Sequence, residues 1–264
     1  MEESPSETTV TKYADSPYRR IPKELLLDYT MNGKMKLCDM WFDESNKPVV
    51  EWTKEYVDEY IQRFTSDNVR KDLQGKTTYG NPCCVWLLDS FEKYDIRDKR
   101  VAVVGSLHPW IEAMLINMGN KVTTIEYNVH ETHYGDTLSC KDYFEYFENF
   151  QDQPFDAIVT YSSVEHSGLG RYGDPLDPNG DIKTMEVIYN NMKPGGVLVW
   201  GAPVGQDMLV WNSHRIYGEN RLSVMFEKFN IVDYFGPYTL KTLLKDMPVS
   251  KESFLQPVIV AKKQ

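Results

Sequence analysis

The chain has 264 residues, of which 41% are hydrophobic and 26% are charged. This composition is ordinary for a globular protein and excludes disorder of the whole chain, and the length suits one large α/β domain with extensions. The net charge of −10 at pH 7 argues against a surface made for nucleic-acid backbones, so we expect no nucleic-acid partner.

The cysteines and the apolar segments indicate the cellular compartment of the protein. The four cysteines have no zinc-site spacing with one another or with histidines, which predicts reduced, mostly buried thiols: Cys38, Cys83, Cys84 and Cys140. No apolar run approaches about 18 residues, and the first ten residues are acidic and polar. We therefore expect a cytoplasmic protein without a membrane span, with a removed leader as the open alternative.

Two segments are predicted to precede the main domain. Residues 1–30 are rich in Ser, Thr and Pro and then charged, which predicts a flexible arm. Residues 31–98 are predicted to form a helical extension, with one amphipathic helix through Tyr56 and Tyr60 and a second helix that begins at Asn81. These helices are expected to cap the carboxyl edge of a sheet formed by residues 99–264.

A βαβ unit is predicted between Lys99 and Glu126. Val101–Val104 is an apolar run that stops at Gly105, which is typical of a strand buried on both faces and ending in a tight turn. Glu126 ends the next predicted strand, 126 − 105 = 21 residues later. That separation is close to the roughly 20 residues between a nucleotide-binding turn and the acidic residue that binds ribose hydroxyls. Only one glycine of the usual three is present, so an ordinary structural turn remains the alternative.

A short third strand is predicted near Thr137–Cys140, and a fourth, Ala157–Thr160, leads into a long polar loop that reaches Asp181. The glycines of this loop allow the backbone to fold tightly around a ligand, whereas an Asx-rich surface loop is the structural alternative. A calcium-binding loop is disfavoured because its first ligand position would be Pro175. His130 and His133 are three residues apart, but the sequence offers them no third metal ligand.

Two motifs carry a resemblance to a known superfamily. The segments FDAIVTYSSVEH and MKPGGVLVWGAPVG, placed after the strand that ends at Glu126, resemble the core of class I S-adenosylmethionine-dependent methyltransferases. The longer strings GLGRYGDPLDPNGD and SHRIYG resemble an uncharacterised domain-of-unknown-function family first catalogued from nematode sequences. The resemblance implies a Rossmann-like, doubly wound, mostly parallel α/β sheet of seven strands, whose last two strands form an antiparallel hairpin.

The resemblance also implies a cofactor site for S-adenosylmethionine. Gly105 and Ser106 would lie beside its methionine and ribose, and Glu126 would accept hydrogen bonds from the ribose hydroxyls. Tyr127 would flank the adenine. The methyl-donor end would face two residues that leave the next strand, Tyr161 and Ser162.

The resemblance also suggests residues that would act on the methyl acceptor or bind it. His166 and His214 are candidate bases for removing a proton from the acceptor. Asp174 and Asp177 are candidate substrate ligands, either directly or through a divalent ion, and Asp181 is a further ion ligand and catalytic candidate. The remaining candidates would bind an anionic group or stack on a sugar ring: Arg171, Arg215 and Trp211.

The expected activity is O-methylation of a saccharide or another small polar acceptor. A catalytically degenerate scaffold that binds a partner is one alternative, because the glycine turn is incomplete. A nicotinamide-dependent enzyme is the other, although the missing glycines disfavour a pyrophosphate at the helix start. The sequence leaves the oligomeric state open.

Overall fold

The structure is a computed structural model that describes residues 19–71, 81–148, 153–246 and 249–264. The predicted arm therefore lies mostly outside the described residues. The described part contains a large sheet with helices on both faces and a second, small sheet. No helix in this part of the chain has both the length and the apolar surface that crossing a bilayer requires.

The large sheet has seven strands in the order β4-β3-β2-β5-β6-β10-β9. Strands β2 to β6 are mutually parallel where they pair, and β10 is antiparallel to both of its neighbours, β6 and β9. The bounds are β2 Arg100–Val104, β3 Lys121–Glu126, β4 Leu138–Asp142, β5 Phe155–Tyr161, β6 Met192–Gly201, β9 Phe229–Phe235 and β10 Val258–Lys263. The predicted mostly parallel sheet with an antiparallel last hairpin is confirmed.

The apolar runs of the sequence form the centre of this sheet. Val101 to Val104 are all buried, because helices cover both faces of β2. The bounds of the helices are α1 Leu26–Tyr29, α2 Lys54–Arg63, α3 Ser66–Lys71, α4 Asn81–Lys93, α5 Trp110–Asn117, α6 Tyr143–Glu148, α7 Gly180–Asn190, α8 Glu219–Met225 and α9 Leu240–Asp246.

The helices divide between the two faces. Residues of α2, α4 and α5 share one hydrophobic cluster with the sheet, whereas α7, α8 and α9 share the other. Both faces of the sheet are therefore removed from water, which is the doubly wound arrangement that the sequence predicted.

The small sheet joins the N-terminal extension to a late part of the chain. Its strands are β1 Lys36–Met40, β7 Met208–Asn212 and β8 His214–Ile216, in the order β1-β7-β8. β1 pairs in parallel with β7, so that Cys38 lies opposite Val210. The extension thus contributes a strand in addition to its helices, and the residues that follow β1 are held next to the polar loop after β5.

Candidate functional site

A cavity of about 680 Å³ lies at the carboxyl ends of β2, β3 and β5. This volume falls in the range of sites for small molecules and cofactors. Open α/β sheets bind ligands at this edge because the loops that leave parallel strands converge there. The residues singled out from the sequence that line it are Gly105, Ser106, Glu126, Tyr127, Tyr161, Ser162, His166, Arg171, Asp174 and His214.

The turn after β2 requires a glycine for two reasons. Gly105 has φ +76°, a conformation that L side chains rarely adopt. A β-carbon at this position would also collide with the side chain of Ser163, which follows β5. The Gly105 N–H donates to the carbonyl oxygen of Ile125 at 2.9 Å, so the turn stays close to the end of β3.

Glu126 ends β3 and points back to this turn. Its carboxylate accepts hydrogen bonds from the backbone N–H groups of Ser106 at 2.7 Å and Tyr127 at 2.8 Å. Burial raises the pKa of Glu126, and these backbone donors counteract the shift. A carboxylate has about four acceptor positions, so this one retains acceptor capacity toward the cavity.

A second glutamate, Glu112, lies behind the turn in the first part of α5. It is fully buried, and its carboxyl accepts from the hydroxyl of Thr124 at 2.8 Å and lies 3.1 Å from the Ser106 hydroxyl oxygen. Burial raises the pKa of Glu112 to about 7. The single Ser106 hydroxyl hydrogen is already directed to the carbonyl of His108 at 2.9 Å, so a protonated Glu112 completes the network by donating to Ser106.

Aromatic rings form one wall beside Glu126. The Tyr127 ring lies 4.5 Å from that of Tyr143 and 5.3 Å from that of Phe144, measured between centroids. These contacts fix Tyr127 at the cavity, where a flat apolar surface can pack against a heterocycle.

The chain leaves β5 through two residues that face the cavity. Tyr161 donates its hydroxyl to the Gln256 carbonyl oxygen at 2.7 Å, and its ring packs edge-on against Trp110. Ser162 has φ +56°, an uncommon value for a residue with a side chain, and its N–H donates to Gly201 at 2.8 Å. This sharp turn brings the following residues, including Glu165 and His166, under the cavity.

His166 is a neutral hydrogen-bonding group in this structure. Its Nδ1 lies 2.6 Å from the carbonyl oxygen of Ser213, which can only accept, so Nδ1 carries the hydrogen and Nε2 keeps its lone pair. Burial, with the nearby positive charge of Arg171, lowers the pKa of His166 to about 3. His166 is therefore a hydrogen-bond acceptor of low basicity.

Glu165 is a cavity residue that the sequence analysis did not select. It is only 1% exposed, its Oε2 has no hydrogen-bond partner, and its Oε1 lies 3.8 Å from Nε2 of His166. Burial raises the pKa of Glu165 to about 7. The Gln256 amide donates to Oε1 at 3.4 Å, so only one of the two carboxyl oxygens lacks a partner. The EH pair of the motif was visible in the sequence, but nothing there distinguished the glutamate as the fully buried member.

His214 reaches the same region from β8. Its Nδ1 lies 2.8 Å from the Ser213 hydroxyl, its ring packs on Phe254, and its Nε2 is buried without a partner. Burial, followed by the charge of Arg171, lowers the pKa of His214 to about 4. Both candidate histidines are thus held neutral by their surroundings.

Arg171 and Asp174 line the cavity, and each has internal partners. Arg171 pairs with Glu44 at 2.8 Å, and its guanidinium lies over the rings of Phe42 and Tyr172. Asp174 accepts from the N–H groups of its own loop, including that of Gly168 at 2.7 Å. These contacts order the loop, and they leave both charged groups at the cavity wall.

The structure places four other candidates outside the cavity lining. Asp181 is fully buried and pairs with Arg221 and Arg215, and the two guanidinium groups outweigh its burial and lower its pKa. Arg215 also donates to the Ser167 carbonyl at 2.7 Å, Asp177 pairs with Lys183, and Trp211 packs on Tyr29 in a separate cluster. The expected roles of Asp181 in catalysis and of Asp177, Arg215 and Trp211 at the substrate stay predictions, and in the structure these side chains contact partners within the fold.

The divalent-ion site expected from the three aspartates does not form. Asp174, Asp177 and Asp181 each bond to a different internal partner. No three His, Cys, Asp or Glu side chains within the described ranges come together as a metal-binding group.

Residues remote in sequence complete the cavity. Phe42, Glu44 and Lys47 come from the segment after β1, and Phe254 and Gln256 from the segment before β10. Nothing in the sequence pattern pointed to them. The place of the first three depends on the pairing of β1 with β7, and that of Phe254 and Gln256 on the pairing of β10 with β6 and β9.

The residues present fit an adenosine cofactor better than a dinucleotide. A carboxylate with free acceptor positions stands beside a glycine turn and an aromatic wall, which suits a ribose and an adenine. A pyrophosphate would need close approach of backbone N–H groups at the start of α5, where Leu107 and His108 carry side chains into the cavity.

The strand order, with one antiparallel strand inserted before the edge, defines a class I S-adenosylmethionine-dependent methyltransferase fold. The chain belongs to the family described as Caenorhabditis protein of unknown function, DUF268, whose profile matches residues 98–256. No curated protein matches the chain.

Solved structures with a similar fold include S-adenosylmethionine-dependent methyltransferases. The 1,6-didemethyltoxoflavin-N1-methyltransferase of Burkholderia thailandensis is 14% identical, with 83% of this chain and 92% of that chain covered and a TM-score of 0.49. The N-methyltransferase NodS of Bradyrhizobium japonicum is 13% identical over 67% of this chain and 92% of that chain, with a TM-score of 0.44. A TehB-like methyltransferase of Corynebacterium glutamicum is 18% identical over 80% and 99%, with a TM-score of 0.45. At this distance the likenesses assign no residue roles.

Proposed function

We propose that this protein is an S-adenosylmethionine-dependent methyltransferase that methylates a hydroxyl group of a small polar acceptor, with saccharides as the favoured class. The observation that carries the proposal is Glu126, a partly buried carboxylate with free acceptor positions beside the Gly105 turn. Glu126 is the group we assign to the ribose hydroxyls.

The cofactor, when bound, supplies a methyl group already activated by a sulfonium. The protein then has to align an acceptor oxygen with that methyl group, exclude water and receive the proton of the hydroxyl. Tyr127, Tyr161 and Ser162 line the cavity. We assign Tyr127 to the adenine, and Tyr161 and Ser162 to the methyl-donor end of the cofactor.

Two neighbouring groups divide the work at the acceptor molecule, and the proton of the reacting hydroxyl goes to Glu165. The lone pair of His166 Nε2 accepts a hydrogen bond from a second hydroxyl of the acceptor and so orients the molecule. Glu165 is the better proton acceptor of the two, because its pKa is raised to about 7 whereas that of His166 is lowered to about 3. The ideal catalytic base has a pKa near the working pH.

The preference for a saccharide rests on the outer part of the cavity. Arg171, Glu44 and Asp174 offer donors and acceptors for several hydroxyl groups, and the rings of Phe42 and Tyr172 offer apolar faces. These aromatic residues take the stacking role that the sequence analysis gave to Trp211. Mixed polar groups and ring faces suit a molecule with hydroxyls on its edge and C–H groups on its faces.

Calorimetric titration of the purified chain with S-adenosylhomocysteine, S-adenosylmethionine and NAD tests the proposal. We expect binding of the first two and none of NAD. Glu126→Ala should weaken S-adenosylhomocysteine binding at least tenfold, since hydrogen bonds to a charged group contribute about 1.5–3 kcal/mol each and about 1.4 kcal/mol is a factor of ten.

Two further variants distinguish a lost cofactor contact from a general disturbance of the fold. Glu126→Gln keeps the side-chain shape and loses acceptor capacity, so it should show most of the loss. Glu131→Ala removes an exposed glutamate of the loop that follows β3 and should bind normally. Unchanged affinity in both Glu126 variants would remove the assignment, and no binding by the parent chain would favour the partner-binding scaffold.

A further inference from the structure

His130 occupies an unusual position for a histidine. It lies in the loop after β3 and is 3% exposed. Its Nδ1 is 2.7 Å from the carbonyl oxygen of Val50, and its Nε2 is 2.7 Å from the carbonyl oxygen of Ser106. Both ring nitrogens therefore contact backbone oxygens at full hydrogen-bond distance.

A carbonyl oxygen accepts hydrogen bonds and cannot donate them. A neutral imidazole has one N–H group, so it can satisfy only one of the two carbonyls and would set a lone pair against the other. Only the imidazolium form donates from both nitrogens. The two contacts of His130 thus match its charged form.

The surroundings suit a positive charge. The Trp52 ring is stacked on His130 with 4.4 Å between centroids and 11° between planes, within the range of a cation–π contact. The carboxylate of Glu126 on β3 is close enough for the charge of His130 to lower its pKa against the effect of burial. The other titratable groups that face His130 are His108, from the turn after β2, and Cys140, on β4.

His130 connects the N-terminal extension to the cofactor turn. The extension pairs with the same loop through the Trp52 N–H, which donates to Glu131 at 2.8 Å, and through a bridge to Thr132. Ser106, the other partner of the ring, supplies the N–H that holds Glu126 at 2.7 Å. Thus one ring links the extension to Ser106, the residue whose N–H holds Glu126.

We infer that His130 is a positioning residue that works as an imidazolium: its two N–H groups clamp the extension to the Ser106 turn and so hold Glu126 in place for a ribose. The link to cofactor affinity rests on the proposed function, whereas the charge state of His130 does not.

The charge state is measured directly by ¹⁵N NMR of the unliganded, histidine-labelled chain between pH 6 and 9, with the His130 signals assigned through His130→Gln. We expect both ring nitrogens of His130 to carry hydrogen at pH 7. The one-N–H pattern of a neutral ring at pH 7 would overturn the inference. This result does not depend on any ligand.

The effect on the site is measured with two histidine variants of the same loop. His130→Gln, which offers hydrogens from one nitrogen only, should weaken S-adenosylhomocysteine binding about tenfold, or about 1.4 kcal/mol. His133→Gln removes a half-exposed ring paired with Glu51 and Glu131 and should stay within twofold of the parent chain. Equal affinity of His130→Gln and the parent chain would overturn the positioning role.

If the proposed function is wrong, the experiments give a different result from the one expected if the role of His130 is wrong. A parent chain that binds no S-adenosylhomocysteine refutes the cofactor, and amide hydrogen exchange then replaces the titration. His130→Gln should speed exchange at Ser106 and Trp52 at least tenfold relative to His133→Gln if the clamp exists. Unchanged exchange would refute the clamp itself.

Discussion

Replacing Glu112 with glutamine should make the stability of the protein less dependent on pH. In the structure the Glu112 carboxyl accepts from Thr124 and lies against the Ser106 hydroxyl, and a protonated acid satisfies both contacts. Glutamine reproduces that pattern, since its oxygen accepts from Thr124 and its amide donates to Ser106. Unlike the acid, it keeps the pattern at every pH.

The expected magnitude follows from the pKa of Glu112. Burial raises it from 4.5 to about 7, so the folded state holds the proton over a range in which the unfolded chain has lost it. The associated stability is complete below about pH 4.5 and is lost as the pH rises through about 7. One pKa unit corresponds to about 1.4 kcal/mol, so the loss is on the order of 3 kcal/mol.

Urea unfolding followed by circular dichroism at pH 5, 6, 7 and 8 measures this effect. The parent chain should lose on the order of 3 kcal/mol more stability between pH 5 and 8 than Glu112→Gln. Glu59→Gln, which removes an exposed carboxylate on α2, should follow the parent chain. The raised pKa of Glu165 also makes stability fall as the pH rises, but it does so equally in the parent chain and in both variants, so it cancels from the comparison. If Glu112→Gln loses stability as steeply as the parent chain, the protonated network is refuted.

Two further predictions concern the candidate base and the buried ion pairs. Glu165→Gln should lower single-turnover rates about a hundredfold and abolish the rise in rate through about pH 7, because the reaction needs the carboxylate. Its affinity for S-adenosylhomocysteine should stay within twofold of the parent chain, and an unchanged rate profile would assign proton removal to another group. Asp181→Asn leaves Arg215 and Arg221 buried without a countercharge and should cost about 3–5 kcal/mol in urea unfolding. A stable variant that binds cofactor and fails to turn over would instead place Asp181 in catalysis.

The βαβ unit was predictable because its signals are local. Four consecutive apolar residues, Val101–Val104, before Gly105 specify a buried strand and a turn, and a second strand of ordinary length ends at Glu126. Parallel strands that leave the sheet at one edge then bring Gly105 and Glu126 together without further information.

The polar loop after β5 was recognised as unusual, but its residues could not be sorted from the sequence. Asp174 and Asp181 look alike in a string of charged residues. In the structure one lines the cavity, and the other pairs with Arg215 and Arg221 from distant segments. Whether a carboxylate faces a ligand or an internal guanidinium depends on which segments pack against it.

The properties of His166 and Glu165 were also undetermined by sequence. His166 is neutral with its lone pair on Nε2 because Ser213, 47 residues later, accepts from Nδ1. Glu165 has a raised pKa because the fold buries it. A pKa reflects the dielectric surroundings and the partners of a group, and both arise from packing.

The sequence by itself determined the βαβ unit from Lys99 to Glu126 and the meeting of Gly105 with Glu126, because hydrophobic period and turn residues act over a few positions. The resemblance of its motifs to a known superfamily implied the class of fold. Only the tertiary structure decided that β1 pairs with β7, which brings Phe42 and Glu44 to the cavity, and that His130 bridges the extension to Ser106. Such contacts join segments far apart in the chain, and they form where the summed burial and hydrogen bonding of the whole fold outweigh the weak local preference of either segment.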